Sequence, residues 1–253
     1  MRIIGIIPAR YQSSRLEGKP LVDLHGKTMI ERTYLGSRAS RAIETLIVAT
    51  DDERIYNEVR RFNGDVEMTS RSHASGTDRI AEVAARRNFD DGDIIVNIQG
   101  DQPLIEASTI DSMVKPLIED GALLISTMSY RIRDESEIDN PSIVKVVTDL
   151  NGMALYFSRY AIPFLQDGGA VDKPRIPYYK HLGLYAYRKS FLLQFAKLPH
   201  SYLEKCEKLE QLRALENGYR IKVIESDYDS LEIDTPEDLE RFRQFLKKSE
   251  VDA

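Results

Sequence analysis

Four short apolar runs, Ile3–Ile7, Thr45–Ala49, Asp65–Met68 and Asp93–Ile98, recur through the first hundred residues with helix-length stretches between them. The first is a compact run of the kind that suits a strand buried on both faces. Helices are expected from about Thr28 to Ser37, after the hydroxyl and acidic start Thr50-Asp51-Asp52-Glu53, and around Ile80, Val83 and Ala84. This βαβ rhythm implies an α/β chain with a mixed, mostly parallel sheet and helices on both faces. Such sheets bind ligands beyond the C-terminal ends of their strands. Loops 8–19, 69–79 and 99–103 are therefore expected to converge.

The second half is less regular. Ala122–Tyr130, Ile143–Thr148, Ala154–Phe157, His181–Tyr187 and Arg220–Ile224 read as strands, and Pro163–Pro177 reads as a long exposed loop. Helices are expected near Phe191–Ala196 and Lys205–Asn217, the latter closed by Gly218, and from Pro236 onward. With 35 Lys and Arg against 41 Asp and Glu, the net charge is −6, so a nucleic-acid partner that needs a basic face is not expected. A local phosphate pocket remains compatible with that charge. Cys206 is the one cysteine, which rules out a disulfide within the chain and fits the cytoplasm. MRIIGIIPAR is too short for a signal core or a membrane span, and no membrane insertion is expected.

Candidate chemistry begins in the same three loops. Arg10, Arg15 and Lys19 follow the first strand and could fork onto the phosphates of a nucleoside triphosphate, although solvated surface cations would look alike. Neither G-x-x-x-x-G-K-[ST] nor G-x-G-x-x-G is present, which demotes P-loop enzymes and nicotinamide dehydrogenases. V-N-I-Q-G-D-Q-P at 96–103 puts Asp101 at a strand end, where a carboxylate can reach Mg²⁺, and Gly100 allows close backbone approach. Asp234 is the best second carboxylate, with a helix cap as its ordinary alternative. In H-A-S-G-T-D-R, small residues expose backbone groups and Arg79 adds a charge, while His73 lacks the clustered partners of a zinc site. Arg159, His181, Tyr185, Glu210, Gln211 and Arg213 are polar anchors that could hold a polyhydroxylated acid. Equally, Tyr185 could be core and Glu210–Arg213 a helical i, i+3 pair.

The ordered motifs I-I-P-A-R-Y-Q-S-S-R-L-E-G-K-P-L, V-A-T-D-D, S-G-T-D-R, N-I-Q-G-D-Q-P, A-L-Y-F-S-R, Y-K-H-L-G-L-Y-A-Y, L-E-Q-L-R-A-L-E and I-D-T-P-E-D-L-E-R cover nearly the whole chain. Together they resemble the 3-deoxy-manno-octulosonate (Kdo) cytidylyltransferases of lipopolysaccharide synthesis. The resemblance implies a Rossmann-like nucleotide-diphospho-sugar transferase fold with a small inserted dimerisation and sugar-binding region. It implies one domain over 1–253: a CTP-binding part at 1–130, a sugar-binding and dimerisation part at 131–225, and a metal-ligand loop with the last helix at 226–253. It further implies a homodimer and Mg²⁺. By position, Arg10, Lys19, Ser75, Gly76, Thr77, Arg79 and Gly100 would bind CTP, and Arg10, Lys19 and Asp101 would carry catalysis. Asp101 and Asp234 would hold Mg²⁺, while Gln99, Arg159, His181, Tyr185, Glu210 and Gln211 would surround the sugar acid. The implied reaction is CTP plus Kdo giving CMP-Kdo and pyrophosphate.

Two departures stand out. Many members read Q-G-D-E-P where this chain has Gln102, and the D-Y-D-S-L-E-I-D-T-P stretch lacks a glycine common before I-D-T-P. Both resemble a subgroup acting on 8-amino-3,8-dideoxy-Kdo, whose amine Asp229 or Glu232 could meet. A GT-A-like glycosyltransferase is a more distant alternative, although its usual D-x-D is replaced by Q-G-D.

Overall fold

The computed structural model describes residues 1–12, 16–166, 177–229, 232–233 and 235–251, with side chains described as far as residue 244. The first half builds β1 (Ile3–Ala9), α1 (Met29–Arg38), β2 (Thr45–Thr50), α2 (Glu53–Arg61), β3 (Asp65–Met68), α3 (Gly76–Arg86), β4 (Ile94–Asn97) and α4 (Ala107–Glu119). The second half adds β5 (Ile125–Arg131), β6 (Lys145–Thr148), β7 (Ala154–Ser158), β8 (Tyr179–Arg188), α5 (Lys189–Phe195), α6 (Tyr202–Glu207), α7 (Gln211–Glu216), β9 (Lys222–Glu225) and α8 (Pro236–Val251).

The sheet order is β3-β2-β1-β4-β8-β5-β9, with the β6–β7 hairpin attached to β8. β1 pairs parallel with both β2 and β4, β2 with β3, and β5 with β9. β8 runs against both β4 and β5. The sheet is thus mixed and mostly parallel, with one reversed strand in its middle. Ile7, Val48, Val96 and Ile98 face α1, α2 and α4 in one apolar cluster. Ile4, Ile6, Ile47 and Ile95 face α3, α5 and α7 in the other. Two covered faces explain why these strands carry apolar residues at successive positions rather than at alternate ones.

Several local expectations are met for visible reasons. Asp52 caps α2 by accepting from Arg54 N at 2.9 Å, and Gly218 takes φ +79° just past α7. Thr235 Oγ1 accepts from Asp238 N at 3.2 Å while Asp238 accepts from Thr235 N at 3.0 Å, so the hydroxyl caps α8. The helix expected over Lys205–Asn217 is instead two, because Lys208 adopts φ +57° and ends α6. No helix among the described residues is long and apolar enough to cross a membrane.

At the sheet edge opposite the loops, Asp93 ties β1 to β4. Its side chain accepts from Arg2 N at 2.7 Å, Arg2 Nε at 2.9 Å and Asp90 N at 2.8 Å, and it is fully buried. Burial alone would raise its pKa, but the Arg2 and Asp90 donors outweigh it and hold the carboxyl below its usual value. A depressed folded pKa means stability that is present above the unfolded value and lost as pH falls through the folded one. Asp93→Asn should therefore cost about 2 kcal/mol near neutral pH, and the difference from the unchanged protein should shrink below about pH 4. Denaturant melts at two pH values would measure both.

Candidate active site

The three loops beyond β1, β3 and β4 meet around a cleft of about 250 Å³ lined by Pro8, Arg10, Lys19, His73, Ser75, Gly76, Arg79, Gln99, Gly100 and Asp101, among others. Parallel strands deliver their loops to the same edge, and two glycines let the loops close up. A Cβ on Gly76 would lie 3.3 Å from Pro8 Cγ, and one on Gly100 would lie 3.2 Å from the Pro8 carbonyl oxygen. At the mouth, Lys19 Nζ donates to Asp101 Oδ2 at 2.7 Å, with side chains 11% and 27% exposed. Both remain within reach of a ligand.

α3 begins at the cleft wall. Ser75 and Asp78 form a reciprocal capping box, Ser75 Oγ accepting from Asp78 N at 3.1 Å. The first-turn N–H groups of Gly76 and Thr77 lie ahead of any i−4 carbonyl, so the positive end of α3 abuts the cleft. The Thr77 side chain turns away. Its hydroxyl donates to Glu210 Oε2 at 2.5 Å, and it is not a lining residue. Arg79 is buried against the wall, donating Nη2 to Asp51 at 2.8 Å and Nη1 to Thr69 Oγ1. Its charge is already paired. His73 also lines the cleft, tied to Glu82.

A second group lies on the sheet face beside the cleft. Gln99 Nε2 donates to Gly183 O at 3.1 Å, linking the β4 loop to β8. The His181 ring packs 5.0 Å from Phe157 and 5.2 Å from Tyr185 between ring centroids. Thr127 Oγ1 donates its one hydrogen to Leu184 O at 2.5 Å, so it accepts from His181 Nε2 at 2.8 Å. That bond assigns the Nε2–H tautomer and leaves Nδ1 as an acceptor. Burial lowers the imidazole pKa to about 3 and raises that of the Tyr185 phenol. Both rings are neutral at physiological pH. Burial also raises the Glu210 carboxyl, against the opposing pull of Thr77 and Arg213. Glu210 and Arg213 pair at 3.2 Å, as i, i+3 spacing allows. Gln211 is buried with its Nε2 unpartnered.

Arg159 sits one residue past β7. Its Nε donates to Glu207 O at 2.7 Å and its Nη1 to Pro141 O at 2.9 Å. Its own carbonyl accepts from the buried Lys145 Nζ at 2.6 Å, which also reaches Asn140 O and Ile143 O. Arg15 and Asp234 lie outside the described residues. Ile233 N donates to Asp101 O at 3.1 Å, however, so the chain just before Asp234 is docked beside Asp101.

The family model for cytidylyltransferases matches residues 4–223. The 3-deoxy-manno-octulosonate cytidylyltransferase of Geotalea uraniireducens (strain Rf4) is 52% identical over 254 residues, covering 98% of this chain and 100% of that one. This chain belongs to the 3-deoxy-manno-octulosonate cytidylyltransferase family. The like-named enzyme of Fusobacterium nucleatum subsp. nucleatum is 46% identical over 251 residues, covering 99% of each. A solved CMP:2-keto-3-deoxy-manno-octonic acid synthetase complexed with CTP superposes with TM-score 0.90 at 38% identity, covering 98% of this chain and 100% of that one. A cytidylyltransferase from Leptospira borgpetersenii shares the fold alone, at 17% identity and TM-score 0.62 over 99% of this chain and 96% of that one.

Within the family frame, the two departures in sequence meet each other. Gln102 is fully buried, and its Nε2 donates to Leu182 O at 2.9 Å and to Glu232 Oε1 at 3.1 Å. Asp229 pairs with Lys180 at 2.8 Å. Asp101 is a hard oxygen donor facing an open cleft, a fit for Mg²⁺ arriving with a triphosphate. Among the described residues there is no group of three His, Cys, Asp or Glu side chains that could hold a metal by itself.

Gly100→Ala should lower stability by about 1–2 kcal/mol and reduce kcat/KM for CTP, because a new Cβ must displace the Pro8 backbone. Gly92→Ala, where a Cβ meets nothing within 4 Å, is the matched control and should leave both unchanged. His181 should contribute no inflection to the kcat/KM profile between pH 5 and 9, because its folded pKa lies near 3. An inflection near pH 6.5 that disappears in His181→Gln would contradict this tautomer and burial.

Proposed function

We propose that this chain transfers the cytidylyl group of CTP to 3-deoxy-manno-octulosonate, giving CMP-Kdo and pyrophosphate. The observation that carries the reading is the Lys19–Asp101 pair at the junction of the three loops, with the neutral His181–Tyr185 face beside it. One part suits a metal-bound triphosphate and the other a polyol. Arg10 and Lys19 contact the phosphates, and the start of α3 with Ser75 and Gly76 lines the nucleotide. Asp101 holds Mg²⁺, with Asp234 as its expected partner; when bound, the ion neutralises phosphate charge.

The sugar's anomeric C2 hydroxyl attacks the α-phosphorus in line, the bond to the β-bridging oxygen breaks, and pyrophosphate departs. Lys19 and Arg10 stabilise charge on the leaving oxygens. His181 is too weak a base to take the hydroxyl proton, so its work is orientation through Nδ1. Arg159 and Glu210 position the acid near Tyr185, and the unpartnered Nε2 of buried Gln211 supports its place in the same set. The names of the relatives favour Kdo over its 8-amino analogue. Asp229 and Glu232, the acids that could have met an amine, already pair with Lys180 and Gln102.

Leu155, Tyr160 and Phe164, 62%, 80% and 83% exposed along and just past β7, support a homodimer through this face. Dependence on CTP fits a cytoplasmic location.

The test is pyrophosphate release. With CTP and Mg²⁺ it should require Kdo, and Asp101→Asn should lose more than about a hundredfold in kcat at an unchanged Tm. Transfer from a finished nucleotide sugar without pyrophosphate would indicate a glycosyltransferase instead.

A further inference from the structure

β4 runs Ile94, Ile95, Val96, Asn97, and the three apolar residues are fully buried. Asn97 is 3% exposed, and its Oδ1 has no hydrogen-bond partner among the described residues. An orphaned carbonyl in such a setting is destabilising, and an apolar side chain would suit the strand better. The asparagine therefore stands there at a cost to stability, a pattern expected where a ligand completes the bond.

Its direction is set by the ladder. Strand alternation puts Asn97 on the face of Ile95 and of Gln99, and the pairing continues past it through Ile98 N to Ile6 O at 3.1 Å. Gln99 lines the cleft. Directly opposite Asn97, in register, stands Tyr185, whose ring contacts His181 and whose phenol feels the charge of Glu210. Next along the chain from Glu210 is Gln211, the buried amide with an unpartnered donor. The unmet acceptor of Asn97 thus stands across the ladder from Tyr185, beside neutral aromatic rings. Phosphate or carboxylate would need a cation here. A hydroxyl, which can donate to an unmet carbonyl without bringing charge, matches it.

We infer that Asn97 is a specificity-determining residue whose Oδ1 accepts a hydrogen bond from a hydroxyl of the polyhydroxy acid. This rests on the cytidylyltransferase reading. Asn97→Val is the closer in volume and repeats the residue type already present at position 96, while Asn97→Leu keeps the branched outline at a larger volume; both remove the acceptor. Each is assayed by pyrophosphate release with CTP and Kdo, and by thermal melting without ligand. The expected result is a Tm equal to or above that of the unchanged protein, a KM for CTP within about twofold, and kcat/KM for Kdo down about 10- to 100-fold. Unchanged kcat/KM for Kdo would show that an internal water or nothing meets Oδ1, and the inference fails. A lowered Tm with equal losses for both substrates, or loss of the fold in both variants, makes Asn97 a packing residue and overturns it as well. If the unchanged protein releases no pyrophosphate with Kdo, the failure lies with the proposed function rather than with Asn97.

Discussion

Pro8 is the point on which the cleft closes. Gly76 and Gly100 approach it so nearly that neither position has room for a Cβ without movement of its neighbour. Because β1 pairs parallel with both β2 and β4, the three loops leave one sheet edge, and the contacts at Pro8 lock them to one another. Arg10 and Lys19, the start of α3, and Asp101 are thereby held in one frame. Fixed charges and dipoles need no rearrangement when charge develops on a ligand, and that is the main electrostatic contribution a protein can make to phosphoryl chemistry.

The second half of the chain reaches this frame through β8. An antiparallel strand inserted between β4 and β5 brings His181 and Tyr185 alongside the end of β4. Side chains then stitch the halves together, Gln99 to Gly183, Gln102 to Leu182 and Thr77 to Glu210. The Thr77–Glu210 bond joins the start of α3 to the start of α7. One hydrogen bond thus ties the cleft wall to the helix that carries Glu210 and Gln211.

Much of this was legible from the chain. Buried parallel strands carry a local signature, and from them the convergence of loops 8–19, 69–79 and 99–103 follows by strand polarity. What was not legible depends on distant partners. Arg79 reads as a free cation until Asp51, 28 residues away, takes it up. Thr77 faces Glu210, 133 residues away, rather than the cleft. The break between α6 and α7 turns on a left-handed lysine, a conformation that sequence rarely announces. α4 had a signal in the spacing of Ile110, Met113, Val114 and Leu117, but Pro116 within it speaks against a helix. The β6–β7 hairpin and β8 have ordinary strand patterns whose place in the sheet only the fold supplies.

The Lys19–Asp101 pair has a bearing on which ions the resting cleft ignores. A lone phosphate could draw Lys19 only by loosening its contact with Asp101, and a lone divalent cation could draw Asp101 only by loosening its contact with Lys19. Each exchange replaces one contact by another at little net gain. A ligand that carries both signs of charge at once, as a magnesium–nucleotide complex does, exchanges both contacts together. A cleft built on such a pair favours a ligand of paired charge over an ion of either sign alone.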